Sequence, residues 1–478
     1  MPSVIGPLRC ACASYSVRER GASVLIQLRQ YQVNAVNGLR YAFFKGHRSA
    51  LLVMPTGAGK TACFTAIAAS ATEKGKRTLI LVHRRELIKR ASSKLAGLGV
   101  EHGIIAAGFE PSDHKVQVAS VQTLVRRLTR TDFAPDLLII DEAHHAVAGS
   151  WDTIIQYFKE ALVIGVTATP ERLDGRGLGT HFSTIVMGPY VDELVDDGYL
   201  SPHKVYAPAK GVDLSKVKMR GGEYAKDELG EIMDRPAITG CAVTHYKRYA
   251  DGQPAIAFCV NVAHAKSVCA SFVDAGYRAR LVTGEMKMEE RDDAISGLAD
   301  GRTQILCSVD VVSEGTDVPA VSCAILLRPT ASTSLYMQQV GRVLRPQPGK
   351  VATIIDHVNS TRKHGFVDDR REWSLDAKPK RQRKDEPAPS VRQCPDCFAS
   401  FKPQPICPVC GHVFKAKDDG ILNLKGDLEE LRKEKARERQ EFKREQGKAR
   451  TLPELLALAA KKGYKPGWAY KIFYGRKH

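Results

Sequence analysis

Residues 49–61 read Ser49-Ala-Leu-Leu-Val-Met-Pro-Thr-Gly-Ala-Gly-Lys-Thr61. Ala50–Val53 is a short apolar run closed by Pro55 and Gly57, the pattern of a strand buried on both faces. A helix is expected to open at Lys60. Between the two, Gly57 and Gly59 let the backbone curl until its N–H groups converge on an anion, with the helix N-terminus adding positive potential. In such a loop Thr56, Gly57, Ala58 and Gly59 line the phosphates. Lys60 reaches the β- and γ-phosphates, and the Thr61 hydroxyl serves Mg²⁺. The general pattern G-x-x-x-x-G-K-[ST] carries Gly where this chain has Met54. The order strand, glycine loop, helix implies an α/β fold with a parallel sheet and a bound nucleotide.

The same rhythm runs outward from the loop. Apolar strand-like runs at 77–83, 115–121, 136–144 and 161–170 alternate with helical patterns, giving one α/β unit over 25–190. Residues 191–235 break the rhythm and read as a connecting segment. A second unit over 236–360 follows, with strands at 254–260, 279–284, 303–309, 323–329 and 351–357. Two such units in tandem enclose a cleft.

Asp141-Glu142 closes the strand Leu137–Ile140, at the strand end where α/β sheets place ligands. There Asp141 can hold Mg²⁺ through water and Glu142 can polarise the water that attacks a γ-phosphate. Asp141-Glu142-Ala143-His144 resembles the DEAD/DEAH box of superfamily 2 helicases, and Gly57–Thr61 their motif I, where Gly at position 54 is not required. Other motifs resembling that family's then appear in order. Leu28-Arg29-Gln30-Tyr31-Gln32 resembles the adenine-recognition segment, which implies that Gln32 reads adenine with Arg29 in support. His83–Leu87 resembles motif Ia, Ser120–Leu124 the next nucleic-acid motif, and Thr167-Ala168-Thr169-Pro170 motif III. Ser313–Asp317 resembles motif V, and Gln338–Arg345 motif VI, QxxGRxxR.

The resemblance covers about residues 28–360 and points toward the RadD-like, phage and restriction-subunit (ResIII) branch. It implies two tandem RecA-like domains and ATP hydrolysis with Mg²⁺. It further implies nucleotide contacts by Gly315, Asp317 and Gln338, coupling by His144, Thr167 and Thr169, and an arginine finger reaching across the cleft from Arg342 or Arg345. Nucleic-acid contacts are expected from Arg84, Gln122, Thr123, Thr283 and Thr316, whose donors suit phosphate oxygens and carry no base code.

Cys394-Pro-Asp-Cys397 and Cys407-Pro-Val-Cys410 supply four thiolates at the spacing of a structural Zn²⁺ ribbon, expected at 393–415, with His412 adjacent. The segment is too small for a core of its own, so metal would supply its folding energy. Residues 361–392 read as a basic linker. Residues 416–478 read as a charged, basic helical tail. Residues 1–24 read as a disordered extension or the product of a misassigned start.

The 478-residue chain is 43% hydrophobic and 26% charged, with a net charge of +18 and a pI near 9.3. Such an excess favours a polyanionic partner. DNA, single-stranded or branched, is the expected track, with RNA the alternative and a single-strand-binding or other repair or replication protein a candidate partner. A non-catalytic nucleic-acid scaffold is the competing class. No apolar run approaches the roughly 20 residues of a membrane span, and several of the remaining eight cysteines sit in apolar runs, which fits a reducing cytoplasm.

Overall fold

The computed structural model describes residues 3–5, 28–145, 149–172, 175–207, 214, 217–234, 236–311, 321–377, 390–414, 445–446, 449, 451–461, 469 and 472. Residues up to Phe414 form one compact unit, and the remainder a second.

The first lobe contains β1 (Ser3–Ile5), α1 (Gln30–Phe44), β2 (Ser49–Val53), α2 (Lys60–Glu73), β3 (Thr78–Val82), α3 (Arg85–Ala96) and β4 (His102–Ile105). It continues with β5 (Val116–Ser120), α4 (Val121–Arg127), β6 (Leu137–Asp141), α5 (Gly149–Tyr157), β7 (Leu162–Thr167) and β8 (Thr184–Met187). The strands form one sheet in the order β1-β8-β2-β7-β6-β3-β5-β4, and every pairing is parallel. β2, β3 and β6 are almost entirely buried, as a sheet covered by helices on both faces requires.

α6 (Val191–Asp196) leads to the second lobe. That lobe holds β9 (His203–Tyr206), the hairpin β10 (Met219–Arg220) and β11 (Glu223–Tyr224), α7 (Lys226–Met233), α8 (Pro236–Tyr249), β12 (Ala255–Phe258) and α9 (Val262–Asp274). Next come β13 (Ala279–Val282), α10 (Met288–Asp300), β14 (Ile305–Ser308), β15 (Cys323–Leu326), α11 (Thr333–Gly341), β16 (Ala352–Asp356) and α12 (Ser360–His364). Strands β17 (Arg392–Gln393) and β18 (Ala399–Phe401) complete its sheet, ordered β13-β14-β12-β15-β16-β9-β18-β17. The molecule is thus an α/β protein with two tandem RecA-like parallel-sheet domains and a cysteine-rich C-terminal extension.

Four features differ from the expected layout. Ser3–Ile5 pairs with β8 at the sheet edge instead of lying in a disordered extension. β9, inside the expected connecting segment 191–235, is an interior strand of the second sheet, paired with β16 and β18. The cysteine segment is not a separate module, because β18 runs antiparallel on β9 and prolongs the second sheet.

The fourth difference lies in the expected linker. Residues 370–377 pack against the first lobe as a strap. Leu375 is fully buried in a first-lobe core cluster beside Trp373, and its carbonyl accepts the Gly179 N–H at 3.0 Å. A Cβ at Gly177 would fall 2.3 Å from that same oxygen, so only glycine permits the approach. Arg370 of the strap bridges Asp192 and Glu193 at 2.8 and 3.3 Å. Residues 378–389 lie outside the described residues.

In the C-terminal unit α13 (Leu452–Lys461) buries Leu455 and Ala459 with Ala449 and Ala469. Apart from residues 445–446, 449, 451–461, 469 and 472, the tail expected to be helical, 416–478, lies outside the described residues.

Candidate ATP site and its cross-cleft contacts

The loop after β2 has the conformation its glycines allow. Gly57 and Gly59 sit at φ 90° and 81°, and α2 begins at Lys60. Met54 is fully buried. Its Sδ lies 3.9 Å from Cys63 Sγ, and Gly188 passes so close that a Cβ there would meet Met54 Cγ at 2.6 Å. The side chain at position 54 therefore fills core beneath the loop and leaves the loop's curl intact.

Lys60 is half-buried, with Nζ 3.4 Å from the Met54 carbonyl. Burial lowers its pKa, against the opposing pull of Glu142 and Asp141. The Asp141 carboxyl is pushed up to about 6, first by burial and then by Glu142, with Lys60 pulling the other way. A cationic, oxygen-ligated ion beside it would restore the ionised form, and Thr61, also buried, supplies a hydroxyl on the adjacent helix turn. The donor set therefore fits Mg²⁺. Glu142 follows with φ 50°, a left-handed conformation costly for a side chain of this size.

From Glu142 a chain of polar contacts leaves the phosphate site. His144 Nδ1 lies 3.5 Å from Glu142 Oε2 and 3.0 Å from Thr167 Oγ1. That hydroxyl donates to the Thr169 carbonyl at 2.9 Å and accepts the Thr169 N–H at 3.2 Å. Thr169 Oγ1 in turn donates to Ser334 Oγ of the second lobe at 2.5 Å. All of these side chains except the partly buried Glu142 are buried.

The second lobe meets the loop closely. Gly341 of α11 faces Thr56 so tightly that a Cβ would lie 2.6 Å from Thr56 Cβ. Arg342, next in sequence and buried, is near enough for its charge to bear on Lys60. Arg345 has its pKa pushed down to about 10 by burial, with Arg90 of α3 adding to the effect. Its carbonyl accepts from Ser201 Oγ at 3.1 Å and Lys350 Nζ at 2.8 Å. Gln338 is buried, and its Nε2 makes no hydrogen bond.

Ahead of α1, the Gln32 amide joins two elements: Oε1 accepts the Arg29 N–H at 2.9 Å, and Nε2 donates to the Ala58 carbonyl at 3.0 Å. Tyr31 OH donates to the same carbonyl at 3.2 Å. The Arg29 guanidinium lies 4.5 Å from the Tyr199 ring centroid, and Tyr199 meets Tyr31 edge-on at 5.0 Å. This aromatic and guanidinium cluster against the loop offers a base-sized planar environment. Tyr199 was not a sequence candidate, since it lies in the irregular segment after α6. Ser334, Arg90 and Asp310 were likewise missed, each lying outside the matched motifs.

The expected nucleic-acid residues are dispersed. Arg84 Nη1 donates to the Asp310 carbonyl of the second lobe at 3.4 Å, where Asp310 sits at φ 56° between Lys226 and Arg328. Gln122 Nε2 donates to the His83 carbonyl at 3.1 Å. Thr123 is partly exposed and Thr283 buried. Gly315, Thr316 and Asp317 lie outside the described residues.

In the cysteine extension, Cys394, Cys397, Cys407 and Cys410 place their sulfurs within 4.8 Å of one another. The Cys394–Cys410 and Cys397–Cys407 separations are 3.5 and 3.7 Å. A disulfide needs about 2.05 Å, whereas a tetrahedron with Zn–S near 2.3 Å has edges of about 3.8 Å. The four thiols fit the metal geometry.

Residues 25–172 match the family model described as type III restriction enzyme, res subunit, and residues 240–347 the helicase conserved C-terminal domain. The chain belongs to the superfamily 2 helicases of this ResIII type and is accordingly an ATP-hydrolysing enzyme. Among its relatives, the 51.5 kDa protein of a Lactococcus phage is 32% identical over 81% of this chain and 83% of its own length. A Saccharomyces cerevisiae protein named for ATP-dependent helicase activity, IRC3, is 34% identical over 70% of this chain, which spans only 52% of the yeast protein. A DNA 3′-5′ translocase, XPB2, of Sulfurisphaera tokodaii is 25% identical over 70% of this chain and 82% of its own. Among the described residues no helix is long and apolar enough to cross a membrane.

Proposed function

We propose that this chain is a DNA-directed motor whose ATP hydrolysis is stimulated by nucleic acid and whose cleft movements translocate along DNA or remodel it. The observation that carries this reading is the contact chain from Glu142 through His144, Thr167 and Thr169 to Ser334. It links the residue placed to activate water with the opposite lobe, so a change at the γ-phosphate is felt as a change in cleft closure. The net charge of +18 suits a phosphate track, and the archaeal relative is named a DNA translocase.

In this reading Lys60 and the loop N–H groups hold the β- and γ-phosphates, while Thr61 and Asp141 hold Mg²⁺, which neutralises charge on the transferring group. Glu142 orients the water. We take Arg342 as the arginine finger, because it is buried and directly follows Gly341, which packs against Thr56 of the phosphate loop. Gln32, with Arg29 and Tyr199, receives adenine. The four cysteines hold structural Zn²⁺, so Ser in place of Cys394 and Cys397 removes one equivalent of zinc in a metal assay. The deciding measurement is ATP turnover with single-stranded, duplex and branched DNA and with RNA side by side. Stimulation by DNA above RNA is expected. Turnover indifferent to every nucleic acid would refute the motor, and stimulation by RNA alone would move the track to RNA.

A further inference from the structure

The cysteine extension contains two knuckles with the same backbone plan. In the first, the Phe398 N–H donates to the Cys394 carbonyl at 3.1 Å and the Cys394 N–H to Ala399 at 2.9 Å. In the second, the Gly411 N–H donates to Cys407 at 3.0 Å and the Cys407 N–H to His412 at 2.8 Å. Phe398 and Gly411 therefore hold equivalent positions, and both are left-handed, at φ 60° and 77°. Glycine adopts that conformation without cost, while an aromatic residue is strained there. The second knuckle has the residue the backbone asks for and the first does not.

Burial in the core of the extension does not account for the exception. The core of the extension consists of Tyr206, Cys394, Ala399, Phe401 and Cys407 with their neighbours, and Phe398 takes no part in it. Phe398 as a whole is 37% exposed. What it meets is the exposed Arg248 at the end of α8, whose guanidinium lies 5.3 Å from the Phe398 ring centroid and 5.3 Å from that of Tyr249. Lys247 precedes it in the same last turn. A strained aromatic ring held at the surface beside cations matches the chemistry of a nucleobase flanked by its phosphate: a π-face to stack on and charge for the backbone.

We propose that Phe398 and Arg248 form a stacking platform for an unpaired base of a single-stranded nucleic acid, with the ring taking the base and the guanidinium the adjoining phosphate. The proposal rests on the motor reading above and adds a second point of grip, carried by the cysteine extension rather than by the cleft.

The test uses the full chain, loaded with zinc, and fluorescein-labelled 20-mers of identical sequence in DNA and RNA, titrated at several salt concentrations. Phe398→Gly installs the residue of the sister knuckle, so zinc content and thermal midpoint should be retained or improved. Its affinity for single strands should nevertheless fall roughly tenfold, as loss of one aromatic–base stack implies, by the same factor at every salt concentration. Arg248→Gln should instead flatten the dependence of affinity on salt, as loss of one phosphate contact does. Phe398→Trp should restore the affinity. Whichever oligonucleotide loses affinity identifies the strand.

Unchanged single-strand affinity in Phe398→Gly, with zinc retained, overturns the platform and leaves the motor standing. A fall in its thermal midpoint without loss of affinity overturns it too, because Phe398 would then be a pin between the extension and α8. A wild-type protein that binds neither strand, with turnover indifferent to both, overturns the motor reading itself.

Discussion

The two lobes share a plan of parallel strands flanked by helices, yet they bring different charges to the cleft. The first supplies Asp141 and Glu142 around Lys60; the second supplies Arg342 and Arg345. Mixed charge suits gripping a nucleotide and its metal, while arginines suit charge that develops as a phosphoryl group leaves. In the proposed reading nucleotide binding rests on the first lobe, while hydrolysis draws on Glu142 of the first and an arginine of the second, so binding and turnover can be damaged separately.

The largest expected effect comes from the second lobe. Arg342→Ala should lower stimulated turnover by about 10³-fold or more, the scale of an arginine finger, while ATP still binds the first lobe. Arg345→Ala should cost much less. Single-turnover hydrolysis with DNA present measures both, and the reverse ranking would exchange their roles.

On the first lobe, Glu142→Gln should slow hydrolysis by about 10²–10⁴-fold and leave ATP bound, as filter retention of labelled nucleotide would show. Asp141 adds a pH signature. Its folded pKa of about 6 lies above the ordinary carboxylate value, so between about pH 4 and 6 the folded protein binds more protons than the unfolded chain. Without metal, stability should therefore decline as pH rises through that window and level off above it. Magnesium competes with that proton, so magnesium-supported turnover should move the opposite way, failing on acidification at a pH below 6 that falls further as magnesium is raised. Thermal midpoints from pH 4 to 7 check the first statement, with Asp141→Asn expected to flatten the curve.

The strap tests whether the lobes are joined by more than the connecting chain. Leu375→Ala removes a buried side chain from the first-lobe core and should cost about 2–5 kcal/mol there. Denaturant unfolding followed at Trp151, which is buried in the same core, measures it, and a change under 1 kcal/mol would reduce the strap to a surface segment.

The same comparison shows what could be read in the chain beforehand. In the first lobe, function rides on contiguous runs: Thr56–Thr61 on one loop, Asp141–His144 after one strand. Local chemistry dictates their roles, so the loop, the carboxylates and the buried strands were legible. Tyr199, Ser334 and Arg90 become site residues only through long-range packing, and nothing in their own neighbourhoods announces it. β9 is four residues with no periodic flanks. Segment 361–377 looked like a linker because its apolar residues are sparse; Leu375 counts only because Gly177 and Gly179 open a cradle some 200 residues earlier in the chain. The cysteine spacing was legible, but the docking of β18 on β9 depends on an edge strand that the pattern did not reveal.

The smallest effect is the most informative about how the lobes communicate. Thr169 Oγ1 donates to Ser334 Oγ across the cleft, and a single buried hydrogen bond contributes a net of about 0.5–1.5 kcal/mol, or roughly 2–10-fold in an equilibrium. Ser334→Ala leaves the Thr169 hydroxyl buried without that acceptor, so closure should weaken. Ser334 acts through Thr169 and is a positioning residue: its loss should raise KM for ATP and lower the ratio of nucleic-acid-stimulated to basal turnover by that same few-fold factor. Ser334→Thr keeps the hydroxyl and should recover the ratio. The double change Thr169→Val with Ser334→Ala removes both polar partners and should restore stability without restoring stimulation. If stimulation returned with stability, the bond would be packing alone, and the two lobes would need another line of communication.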